Sequence, residues 1–86
     1  MVQIDESQHS SLSALEFRTL IHQSIDNKKP VSIEMENRDT RYFTFESFLN
    51  ENCAIGFEHE GTVIIVVLFY GEDHEGSDSP LIAIGR

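Results

Sequence analysis

Eighty-six residues allow one hydrophobic core, because two would leave neither half enough surface to bury. Fifteen acids against six bases give a formal charge of −9, which argues against unaided binding to nucleic-acid phosphates or to an anionic membrane surface. A single cysteine, Cys53, excludes an intrachain disulfide framework and a cysteine-built zinc site. The opening Met1-Val2-Gln3-Ile4-Asp5-Glu6 has neither the basic nor the apolar region of a secretory signal. The longest apolar run, Val63 to Tyr70, falls well short of the about 20 residues a spanning helix needs. A single cytoplasmic domain covering 1–86 is expected.

Residues 1–10 are polar and aperiodic and read as a flexible arm. A helix follows within 12–27. Ser13-Ala14-Leu15-Glu16 fits the S-x-x-E capping box, and Leu12 with Phe17 forms a hydrophobic staple. Phe17, Leu20, Ile21 and Ile25 recur at helical spacing. Asn27 suits a left-handed cap, Lys28 and Lys29 suit the negative end of the dipole, and Pro30 cannot continue the helix.

From Pro30 the period changes to two, opening a β region over 31–86. Val31, Ile33 and Met35 alternate with Ser32, Glu34 and Glu36, the pattern of a half-buried strand. Asn37 to Thr40 is a turn. A second strand runs over 41–48 with Phe43 and Phe45 on one face and Thr44 and Glu46 on the other. Cys53, Ile55 and Phe57 mark a third, and Glu58-His59-Glu60-Gly61 a tight connection. The fourth, 62–70, is apolar on both faces and therefore buried on both sides, by the core and by a neighbour. An acidic loop at 71–80 precedes a short last strand, Leu81 to Ile84. The fold class expected is α+β: an N-terminal helix, then about five antiparallel strands in a strongly bent sheet or small barrel.

Chemistry is sparse. His59 and His74 each lie between acids, but about nine residues at ~3.3 Å each hold them roughly 30 Å apart across the fourth strand, so they cannot share a metal. Cys53 has Glu51 and no base nearby, the wrong setting for an activated thiol. There is no glycine-rich phosphate loop. No catalytic role, metal or cofactor is expected. Lys28, Lys29, Arg38 and Arg41 could gather with Tyr42 as a basic patch.

Pro30-Val31-Ser32-Ile33 and Phe45-Glu46-Ser47-Phe48 resemble two tetrads of Hfq, a bacterial member of the Sm-like family, at the same separation. The resemblance implies a small bent barrel, assembly into a ring through strand edges, and RNA contact by Phe48, beside which Arg38 and Arg41 would serve. Departures are several. Arg38 stands in place of the turn glycine, Phe43 or Thr44 in place of the bend glycine, and Leu49 in place of an Asp. The family's Tyr-Lys-His segment has no counterpart.

Charge is lopsided. Residues 1–45 carry seven acids and five bases, whereas residues 46–86 carry eight acids and only Arg86. A surface of this kind steers onto basic proteins and occludes sites meant for phosphates. The function expected is therefore non-catalytic: an inhibitor, immunity or mimic type of protein that blocks or modulates a basic partner. The contact residues would be Glu51, Glu58, Glu60, Glu72, Asp73, Glu75 and Asp78. The alternative is an Sm-like RNA-binding ring using Arg38, Arg41 and Phe48. The two-sided apolar strand implies a homodimer or small ring.

Overall fold

The computed structural model describes residues 3–59, 61, 63–67 and 80–85. Strand β1 (Ile4–His9) leads into helix α1 (Ala14–Asn27), followed by β2 (Val31–Glu34), β3 (Thr40–Asn50), β4 (Cys53–Glu58), β5 (Val63–Val67) and β6 (Leu81–Gly85). All pairs are antiparallel, in the order β1-β6-β5-β4-β3-β2. The α+β class and the bent sheet are as expected; the strand count is six, not five. The additional strand is β1, inside the segment expected to be a flexible arm. Its side chains are almost all exposed, so no hydrophobic pattern announces it. What recruits it is the free backbone edge of β6, whose donors and acceptors need a partner.

The sheet curls into a half-barrel until its two edge strands touch. Ser10 bridges Met35, Ser11 N–H donates to the Glu34 carbonyl (3.0 Å), and Glu36 N–H donates to the His9 carbonyl (3.1 Å). Inside lie Ile33, Met35, Phe43, Phe45, Ala54, Ile64, Val66, Ile82 and Ile84, closed over by Phe17 and Ile21 of α1. Small residues make the curl possible. A Cβ on Gly56 would come within 2.5 Å of the Thr44 carbonyl oxygen and 2.8 Å of the Phe45 Cα. Gly56 thus permits the close approach of β3 to β4.

The helix begins as its sequence dictates. Ser13 Oγ accepts from Glu16 N–H (3.2 Å), and Glu16 Oε1 accepts from Ser13 N–H (3.1 Å). At the other end the left-handed residue is Lys28 (φ 56°), not Asn27. The shift is fixed by Ser24, whose carbonyl accepts the Lys28 and Lys29 N–H groups and whose Oγ donates to the Lys29 carbonyl (2.7 Å). Ser24 is fully buried and also accepts the Phe45 N–H at 2.9 Å. That N–H lies past Val31, where β2 gives way to Pro30 and offers β3 no further partner.

Three register shifts interrupt the pleat, one of them at Leu49, between Phe48 and Asn50 of β3. Between Phe45 and Ser47 one extra residue, Glu46, shifts β3 against β4. Strict alternation would put Phe48 on the Thr44 side; the bulge turns it to the core side, opposite Ala54 and against the cluster. Between Ile4 and Glu6 the extra residue is Asp5. On the convex face Cys53, Ile55, Phe57, Val63, Ile65, Leu81 and Ala83 are half-buried. The described part of the two-sided apolar run is Val63–Val67; residues 68–70 and the acidic loop from 71 to 79 lie outside the described residues.

Candidate interaction surfaces

One mouth of the half-barrel is closed by charge. Arg41 stands on the Phe43 side of β3, Glu58 on the Ala54 side of β4, and Glu6 on the Ser10 side of β1, so all three reach inward past the last apolar layer. Arg41 Nε and Nη2 donate to Glu58 at 2.7 and 2.8 Å, a bidentate pair, and Nη1 donates to Glu6 at 3.4 Å. The bonds to Glu58 hold the guanidinium above its usual pKa, against a smaller opposing effect of burial. Two residues expected to meet different partners, Glu58 a basic protein and Arg41 an RNA, are thus engaged with each other.

The remaining expected contacts separate. Glu51 is exposed in the β3–β4 turn, where its carbonyl accepts from Arg18 Nη2 at 2.8 Å. Glu60, Glu72, Asp73, Glu75 and Asp78 lie outside the described residues, as does His74. Arg38 occupies the β2–β3 turn with φ 73°, the conformation a glycine takes there without cost. Asn37 and Asp39 brace it, Asn37 Oδ1 accepting the Asp39 N–H at 3.0 Å. Phe48 sits near the far end of β3 from Arg41, ~20 Å away at strand rise, with His22 at 4.9 Å between ring centroids. Arg38, Arg41 and Phe48 do not form one patch. Nor do Lys28 and Lys29 join Arg38, because they precede β2 and Arg38 follows it.

Sequence reasoning missed an acidic seam. Closure of β1 on β2 brings exposed Glu34, Glu36 and Asp39 beside the strand that carries Asp5 and Glu6. Counted along the chain, these acids lie among the bases of the first half. In space, Lys28 and Lys29 are at the opposite end of β2. The only forewarning was the alternation that sends Glu34 and Glu36 outward.

Two open grooves flank α1. One, of about 280 Å³, lies between Arg18, His22, Phe48, Asn50 and Glu51. The other, of about 400 Å³, lies along Leu12, Leu15, Glu16, Thr19 and Leu20. Cys53 is half-buried on the convex face, and that burial pushes its thiol pKa up. A raised pKa means less thiolate and a weaker nucleophile. Among the described residues no group of three or more His, Cys, Asp or Glu is placed to hold a metal ion, and no helix is long and apolar enough to cross a membrane. No family model, curated protein or solved structure matches this chain.

Proposed function

We propose that this chain is a non-catalytic acidic binding protein that blocks or modulates a basic partner, of the kind that itself handles nucleic acid. The observation that supports this reading is how the fold treats charge. Of the ten described acidic residues only Glu58 is not exposed, and it engages Arg41, one of six bases in the chain, which also bonds the inward-turned but exposed Glu6. The surface is left with its acids exposed and one cation fewer to offset them. Glu51, Glu60, Glu72, Asp73, Glu75 and Asp78 remain as contacts, joined by Glu34, Glu36 and Asp39 of the seam. Glu58 serves the fold instead.

The test is a pull-down from native lysate, with and without nuclease, followed by titration of the retained protein. Reversing Glu72, Asp73, Glu75 and Asp78 to Lys moves the formal charge from −9 to −1. Binding then weakens at least tenfold, about 1.4 kcal/mol, mostly through the on-rate. The Glu34, Glu36 and Asp39 to Lys variant separates the seam from the loop. Lys28 and Lys29 to Glu leaves binding intact. A partner lost on nuclease treatment, or one that needs the lysines and tolerates the acid reversals, would mean that the chain binds RNA.

A further inference from the structure

Among the described residues, the middle of the convex face, across β1 and β3 to β6, is a large surface on which the paired positions carry no formal charge; Glu34 of β2 lies beyond its edge. Its central row runs Ser7, Ala83, Ile65, Ile55, Ser47 across five strands. The rows on either side run from Ile4 through Val63 and Phe57 to Thr44, and from His9 through Leu81 and Cys53 to Asn50. None of these positions is Asp, Glu, Lys or Arg. Asp5 and Glu46, the unpaired residues at the bulges of β1 and β3, lie on the two outer strands of this area and so belong to its rim. No described element packs over it, since α1 makes its contacts with β2 and β3 and sends Phe17 and Ile21 into the concave side.

We infer that this face is covered by a second copy of the chain, sheet against sheet about a two-fold axis. The charge pattern selects the occupant. A basic partner gains nothing from a face without acids, and an anionic lipid surface is repelled by a −9 chain. Two chains of net charge −9 repel on balance, least where neither carries charge, and an isologous contact sets one uncharged face against the same face. Three rows over five strands span ~24 by ~20 Å, on the order of 1,000 Å² for the two copies, the lower bound for a specific interface. The apolar centre with a polar and acidic rim is the expected anatomy of such a contact.

This inference does not depend on the basic-partner reading, and salt tells the two apart. Screening weakens binding to a basic partner but strengthens pairing of two −9 chains. Sedimentation of the full chain from micromolar to near-millimolar concentration is expected to show a species of twice the 9.8 kDa monomer mass, its fraction rising with salt. Ile65→Lys places a charge at the centre of the face and weakens association at least tenfold. Leu15→Lys, on the helix groove, leaves association unchanged. Alkylation of Cys53, the only thiol, slows as parent concentration rises and does not in Ile65→Lys. Should circular dichroism show Ile65→Lys unfolded, Ile65→Thr keeps the strand preference and is read by the same thiol protection. A parent that stays monomeric, an association undiminished by either Ile65 variant, or one abolished by Leu15→Lys would overturn the assignment.

Discussion

The half-barrel is tied together at two places by opposite chemistry. Around Phe45 the tie is neutral: the Ser24 hydroxyl, fully buried, accepts one backbone N–H and donates to one carbonyl. At the mouth the tie is ionic: Arg41 and Glu58 keep about a fifth of their side-chain surface in solvent, and Glu6 nearly half. Ser10 repeats the neutral pattern at the seam, donating to the Glu34 carbonyl (2.9 Å) and accepting the Leu12 N–H (3.1 Å). Removing a buried partner leaves a polar group with nothing to bond, whereas water replaces much of an exposed ion pair. The neutral ties therefore matter more to stability, although the charges are more conspicuous in the sequence.

Substitutions at four positions test that ranking. The largest loss is expected for Gly56→Ala, whose Cβ would press on the β3 backbone at Thr44 and Phe45, where no flexible side chain can yield. Denaturant midpoints should fall by an amount worth about 3 kcal/mol. Ser24→Ala follows at about 2 kcal/mol, since it strands the Phe45 N–H; Ser24→Thr, which keeps the hydroxyl, should recover part of it. Arg41→Met should cost about 1 kcal/mol at low salt, a loss that shrinks as salt screens the parent's ion pairs. A loss for Arg41→Met above that for Ser24→Ala would reverse the comparison. The smallest effect is a gain of about 0.5 kcal/mol for Lys28→Gly, because the left-handed backbone at φ 56° suits glycine.

Alkaline pH adds one further check. The Cys53 thiol is raised by burial, so the native state holds its proton at pH values where the unfolded chain has released it. Stability from this group is full below the ordinary thiol pKa and declines as pH rises through it. Cys53→Ala should flatten that part of the stability–pH curve, measured as the difference from the parent.

Local rules were legible wherever one segment carried the whole signal. Ser13 and Glu16 are three residues apart and cap the helix without outside help. Val31 to Met35 alternate, so their faces follow from the pleat, whereas in Cys53 to Phe57 the core takes Ala54 and Gly56 and leaves the apolar Cys53, Ile55 and Phe57 half-buried on the convex side. Hairpin signals at Asn37 to Thr40 and at Glu58 to Gly61 hold, with Gly61 at φ 93°. Other features depend on distant pairs. Strand β1 has no apolar pattern, and only the open edge of β6 makes it a strand. A single bulge after Phe45 reverses the side on which Phe48 falls, which alternation cannot foresee.

Charge followed the same division. The amino-acid sequence determined the excess of acids, the helix, and the apolar strands that must be buried, because composition, capping and periodicity act over a few neighbouring residues. Only the tertiary structure decided that Arg41 and Glu58 neutralise each other, that Glu34, Glu36 and Asp39 meet β1 at a seam, and that the middle of the convex face is left uncharged. Each of these depends on strand order and register, which are set by closing the sheet around one shared core.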